Sequence, residues 1–90
     1  MNIREIKLAL TVKLMNLQTG HYITTIQELM QHFAEQVGAF LGLHVLNNSI
    51  LDQGRSMQTV ALQYENCTLN VDLIQDTTTE HQFVNRFELV

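Results

Sequence analysis

The sequence predicts an α+β domain in which a mostly antiparallel sheet of four to five strands carries one main helix on one face, in the order β-α-β-β-β. Several short segments alternate apolar and polar residues, and one longer segment places apolar residues at helical spacing. The composition, 46% hydrophobic and 16% charged, is that of a globular chain. One helix across one face of a sheet is the simplest arrangement that buries all of these apolar stripes.

The first predicted strand is the segment 6–14, where apolar and mixed residues alternate strictly. A period of two over this length is typical of a strand with one apolar face. The apolar members are Ile6, Leu8, Leu10, Val12 and Leu14. Gln18, Thr19 and Gly20 then predict a turn.

The predicted helix begins at Thr24 or Thr25 and ends at Gly42. Thr25 and Glu28 have the spacing of a capping box, in which hydroxyl and carboxylate bond the first free backbone amides. Gly42 offers the left-handed conformation that often ends a helix. The apolar residues at helical spacing are Ile26, Leu29, Met30, Phe33, Val37, Phe40 and Leu41.

The remaining strands follow the helix. Residues 43–46 predict a short strand that ends in a kink, and 52–56 predict a loop. Residues 59–64 and 67–73 both alternate, so we expect a hairpin that turns near Glu65 and Asn66. Residues 82–90 suit either a helix or a strand, and their β-forming residues favour the strand. With no repeat or proline-rich linker, we expect one domain over residues 1–90.

Glu28, His32 and Glu35 lie four and three residues apart in the predicted helix. This spacing places them on one helical face, as a divalent metal site would require. The same face lies opposite the apolar stripe, so the trio is expected in the middle of the solvent-facing side. Three interpretations follow: an ordinary surface, a metal shared across a symmetric dimer, or an acidic recognition stripe. We expect no metal site within one chain and select the trio as candidate partner-binding residues.

A pocket between helix and sheet is a second possible site, with His44, Tyr64 and Cys67 as its candidate residues. Cys67 is the only cysteine, which argues against a disulfide framework. The strand pattern turns Cys67 inward beside Leu69, where a thiol is typically inert. We therefore expect no catalytic residues, no metal and no cofactor.

The charge balance limits the partners. Nine acidic and five basic residues give a net charge of -4. So few Lys and Arg residues argue against direct nucleic-acid binding, and an acidic surface favours a basic protein partner. No apolar run is long enough for a membrane span, and we expect a cytoplasmic protein.

The expected function is that of a small non-enzymatic acidic protein, of the accessory or mobile-element type, that regulates or inhibits a macromolecular partner. The alternative is a small-ligand-binding or enzymatic oligomer with a pocket between helix and sheet or between subunits. A homodimer is expected, because the sheet face away from the helix is left apolar. That face is predicted to carry Ala9, Thr11, Met15, Leu17, Ala61 and Ile74.

Overall fold

The computed structural model describes residues 1–16, 22–79 and 81–90. The helices are α1 (Ile3–Asn16), α2 (Tyr22–Gln31) and α3 (Ala34–Val37), and the strands are β1 (Phe40–Asp52), β2 (Arg55–Tyr64), β3 (Thr68–Asp76) and β4 (His81–Leu89). The strands form one antiparallel sheet in the order β1-β2-β3-β4. An α+β architecture with a four-stranded antiparallel sheet is thus confirmed. The predicted order β-α-β-β-β is wrong, because the helices come first.

The segment 6–14 lies within α1 and is not a strand. Ile6 and Leu10 are fully buried and Leu14 is half-buried, whereas Leu8 and Val12 are exposed. The three inward positions are spaced by four residues, which satisfies a helical repeat and also a period of two. The turn predicted at 18–20 lies outside the described residues.

Helix α2 begins before the predicted start. Tyr22, Ile26 and Met30, spaced by four residues, are all buried, so a start at Tyr22 adds an aromatic side chain to the buried stripe. Thr25 consequently lies inside α2, and the predicted capping box is wrong.

The helical region also ends before the predicted stop. After α2 the chain turns at His32 and Phe33, forms the single turn of α3 and leaves the helix at Gly38, whose φ is 81°. The predicted end at Gly42 is wrong, because β1 has already begun at Phe40.

The other predicted strands are present, with different lengths. The predicted short strand at 43–46 is part of the 13-residue β1. The predicted loop at 52–56 is in fact a two-residue turn at Gln53 and Gly54. The β2–β3 hairpin with its turn near Glu65 and Asn66 is confirmed. Residues 81–89 form β4, so the preference for a strand in this segment is also confirmed.

The core lies between one face of the sheet and the helices. Val60, Leu62 and Tyr64 of β2 alternate with more polar residues, and they face the helical layer. The helices contribute Ile6, Leu10, Tyr22, Ile26, Met30 and Val37, and the rest of the sheet contributes Leu69, Val71, Leu73 and Leu89. None of the helices in the described ranges is long and apolar enough to cross a membrane.

Candidate protein interaction surface

Strand β1 lies at one edge of the sheet and β4 lies at the other. An edge strand presents unpaired backbone N–H and C=O groups, which proteins commonly protect with charged side chains. β4 contains Arg86 and Glu88, whereas residues 40–51 contain no Asp, Glu, Lys or Arg. The two edges of one sheet therefore differ in chemistry, because residues 40–51 of β1 lack the charges that discourage strand pairing and Asp52 at its end is the one charged residue of the strand.

Exposed apolar side chains run along the whole of β1. Ile50 is 84% exposed, Leu46 60% and Val45 52%. We call the complete set the β1 surface: Phe40, Leu41, Leu43, Val45, Leu46, Ile50 and Leu51. A row of exposed apolar side chains of this kind is typical of a protein interaction site.

The position of the helices explains this exposure. The backbones of α1 and α2 approach the sheet at β4, the edge opposite β1. Leu43 and Val45 pair with the buried Leu62 and Val60, so their side chains lie on the same face as the core. They remain exposed because the helical layer does not extend over β1.

The apolar residues of β1 recur as doublets with a period of five. The doublets are Phe40-Leu41, Val45-Leu46 and Ile50-Leu51. The register between β1 and β2 shifts at each doublet, between Phe40 and Gly42, between Val45 and Asn47, and between Ile50 and Asp52. Each shift leaves one unpaired residue, as in a β-bulge, and that residue is a leucine in all three doublets.

Polar contacts tie both ends of β1 to the rest of the fold. At the C-terminal end the Asp52 carboxylate accepts from the Gly54 amide at 3.1 Å and from the Arg55 guanidinium at 2.9 Å. The Arg55 hydrogen bond lowers the pKa of Asp52. At the N-terminal end Glu65 Oε1 accepts from the Ala39 amide at 2.6 Å, and the Glu65 amide donates to the Ala39 carbonyl at 3.1 Å. The exposed strand is thereby fixed in place at both ends.

The candidate trio lies around the break between α2 and α3. Glu28, His32 and Glu35 are all exposed. His32 lies in the turn, where its amide donates to the Leu29 carbonyl three residues back, so the trio does not occupy one continuous helix. Among the described residues, no group of three or more His, Cys, Asp or Glu side chains is arranged to hold a metal ion.

The three candidate pocket residues do not converge. His44 pairs with Ala61, whereas Tyr64 pairs with Phe40, and Ala61 and Tyr64 lie on opposite faces of β2. His44 is exposed, while Tyr64 and Cys67 are buried in the core. Burial raises the pKa of the Cys67 thiol. Burial, with a smaller contribution from Cys67, also raises the pKa of Tyr64.

Open grooves flank the helices in the described part of the chain, and two of them contain residues of the middle and end of α2. One, of about 570 Å³, lies between the α2–α3 region and the start of β1, and its lining includes Met30, Phe40, Tyr64 and Glu65. The Phe40 and Tyr64 rings meet edge to face in its wall, with centroids 5.3 Å apart. The other, of about 530 Å³, lies between α1 and α2 and is lined by Leu8, Ala9, Val12, Leu29 and Phe33 together with Glu5, Lys13 and Asn16.

The β1 surface is not predicted by the sequence patterns. The predicted helix includes Phe40 and Leu41 and so hides the first doublet of the period-five pattern. The predicted self-association face is wrong, because its residues do not share one face of the sheet. Ala9, Thr11 and Met15 belong to α1, and Leu17 lies outside the described residues. The absence of charge over residues 40–51 was the signal that could have revealed the edge.

Comparison of the chain with protein-family models, curated proteins and solved structures found no match.

Proposed function

We propose that the protein is a small, non-enzymatic binding protein that regulates or inhibits a macromolecular partner and acts as a homodimer. The observation that carries the proposal is the β1 surface, an uncharged apolar strand along one edge of the sheet. Such an edge can add a strand from another chain through backbone hydrogen bonds, while its side chains provide apolar contacts.

The chemistry of the buried groups supports binding over catalysis. The histidine and the thiol that could form a nucleophilic pair are separated, since His44 lies on the face of the sheet away from the core and Cys67 lies within the core. A thiol whose pKa is raised by burial holds less thiolate at neutral pH, and the thiolate is the nucleophile.

Glu28, His32 and Glu35 remain the residues that we propose for recognition of the partner. All three are exposed on the helical side of the molecule, so they are accessible while β1 is occupied. Two carboxylates within eight residues suit a basic segment of a protein partner. The partner would then be held by the helical layer, and β1 would remain available for self-association.

The alternative function, binding of a small ligand, is supported by the groove beside Tyr64. Its wall combines Met30, Phe40 and the Tyr64 ring with the Glu65 carboxylate, which suits a small apolar molecule that carries one polar group. A ligand-binding role predicts that Ala34→Phe, which fills this groove, abolishes ligand binding while dimerisation persists. Protein binding through β1 predicts that Ala34→Phe leaves partner binding and dimerisation unchanged, whereas Leu46→Lys weakens them.

Site-specific photocrosslinking in the cells that produce the protein tests the proposal. A benzophenone amino acid is placed at Ile50, which is 84% exposed, and the matched control carries it at Met15, an apolar residue of α1 that is 80% exposed. We expect protein adducts at position 50 in excess of those at position 15. A cross-link to a protein other than a second copy supports the proposal only under two conditions. That protein must bind the purified chain, and Leu46→Lys must weaken the binding. Equal or absent adducts at the two positions would refute a protein interaction through β1.

A further inference from the structure

The occupant of the β1 edge can be inferred from the chemistry of the strand itself. A basic partner finds no carboxylate between residues 40 and 51. The acids at its two ends are already engaged, because Asp52 is paired with Arg55 at 2.9 Å and the Glu65 carboxylate accepts from the Ala39 amide. The edge therefore offers no charge that would attract a basic segment, and an uncharged apolar strand is the better complement.

The doublet pattern of β1 is symmetric about its centre. Reversing the strand about the Val45-Leu46 doublet places Phe40-Leu41 opposite Ile50-Leu51, and the central doublet opposite itself. An antiparallel pair of identical strands related by a two-fold axis makes this match. A parallel pair in equivalent register would also align the doublets, but a closed two-fold dimer through one sheet edge requires the antiparallel arrangement.

We propose that β1 pairs antiparallel with β1 of a second copy, with the two-fold axis beside Val45 and Leu46, so that two four-stranded sheets join into one of eight strands. This inference rests on the proposed function, because it names the second copy as the occupant of the same surface. No like charges meet across the join, since residues 40–51 carry none on either copy. Both copies of the β1 surface then lie side by side in the middle of the joined sheet.

The apolar area is sufficient to form the centre of such an interface. A large apolar side chain exposes on the order of 100 Å² when free. The seven side chains of the β1 surface are on average about half exposed, so they can supply at most roughly 400 Å² per copy. A stable interface buries about 800 Å² per partner, and the polar side chains and unpaired backbone of the same strand supply the remainder.

Light scattering on the purified full chain, with charge variants, tests the assignment of the surface. We expect a mass about twice the 10.3 kDa of one chain at micromolar concentration. Leu46→Lys is expected to raise the dissociation constant at least 100-fold while circular dichroism stays native. Leu8→Lys, on an equally exposed leucine of α1, is expected to leave the dimer intact. A dimer that survives Leu46→Lys would overturn the inference.

Cysteine cross-linking tests the antiparallel register. Leu46→Cys lies beside the proposed axis and should form a disulfide-linked dimer on mild oxidation. Two copies of Ile50→Cys would lie roughly 30 Å apart, at about 3.3 Å per residue, and should not cross-link. A mixture of Ile50→Cys and Phe40→Cys should cross-link, because both positions lie on the face of the sheet that carries Val60 and Tyr64. Cross-linking of Ile50→Cys with itself would instead indicate parallel pairing and overturn the proposal. Cys67 is buried and does not interfere.

These outcomes separate the two claims. A monomeric mass together with photocrosslinks from position 50 to another protein would refute self-pairing and the homodimer, and would leave only the binding of a protein partner standing. A monomeric mass with no adduct above the Met15 control would refute both.

Discussion

Gly38→Ala is expected to be among the most destabilising substitutions on the surface of this protein. Gly38 has φ 81° and ψ -167°, a region of backbone space that is essentially restricted to glycine. A Cβ atom at this position would also lie 2.6 Å from Cβ of Glu65, whose carboxylate accepts from the Ala39 amide. The substitution thus strains the backbone and displaces the side chain that holds the start of β1.

The backbone strain and the lost hydrogen bond together determine how much Gly38→Ala lowers the free energy of unfolding. A residue forced into such a region costs on the order of 1–3 kcal/mol, and loss of a hydrogen bond to a carboxylate adds about 1 kcal/mol at an exposed position. We expect a loss of about 2–4 kcal/mol in the free energy of unfolding, or roughly 10–30 °C in Tm for a domain of this size.

Urea and thermal denaturation followed by circular dichroism measure this loss, and Gly42→Ala provides the control. At Gly42 the nearest atom to an added Cβ is Nε2 of His44 at 3.6 Å, an ordinary contact, and φ is not positive. Gly42→Ala should therefore change the stability by less than about 1 kcal/mol in either direction. If the two variants unfold within about 3 °C of each other, the assignment of strain to Gly38 is wrong.

Two further predictions concern α1 and the buried ionisable groups. Leu10→Ala should lower the free energy of unfolding by about 2–5 kcal/mol because Leu10 is fully buried, whereas exposed Leu8→Ala should lower it by less than about 0.5 kcal/mol. Equal decreases for the two variants in urea denaturation would favour a strand for this segment. The raised pKa values of Cys67 and Tyr64 mean that the unfolded chain ionises first as pH rises. Stability should therefore be unaffected below about pH 8 and should fall progressively above the unfolded thiol pKa of about 8.5 and phenol pKa of about 10. A denaturation midpoint that is constant from pH 7 to pH 10.5 would contradict this coupling.

The first segment shows why periodicity alone misassigned an element. Apolar residues at every even position from 6 to 14 contain a strand pattern and also a helical stripe at 6, 10 and 14. Intrinsic propensity distinguishes them, because Arg4, Glu5, Lys7, Leu8 and Ala9 are good helix formers. Weighing propensity beside period would have placed α1 correctly.

Strands β2 and β3 were predictable because their two faces differ, whereas β4 was favoured only by its β-forming residues. In β3 the inward residues Leu69, Val71 and Leu73 alternate with Thr68, Asn70 and Asp72, and burial follows the same alternation. In β1 no alternation exists, since the helical layer leaves both of its faces exposed and each doublet interrupts the register. A strand whose side chains are not sorted by burial carries no period-two signal, so its length and its edge position came only from the structure.

The distribution of charge separates the two interactions that we propose. Residues 1–38 contain three acidic and three basic residues, whereas residues 39–90 contain six acidic and two basic residues, which accounts for the whole net charge of -4. None of these charges lies between residues 40 and 51. The proposed pairing of two copies through β1 would therefore be apolar in character, and high salt does not weaken apolar association.

Recognition of a basic partner through Glu28 and Glu35 would respond to salt in the opposite way, because screening weakens attraction between exposed charges. We expect the dimer dissociation constant, measured by analytical ultracentrifugation, to stay constant or to decrease when NaCl is raised from about 0.05 M to about 1 M. Over roughly this range the Debye length shortens from above 10 Å to about 3 Å. Glu28→Gln with Glu35→Gln should leave that constant unchanged, because both residues lie outside β1. Dissociation of the dimer at high salt would show that charged residues, and not the β1 surface, hold the two copies together.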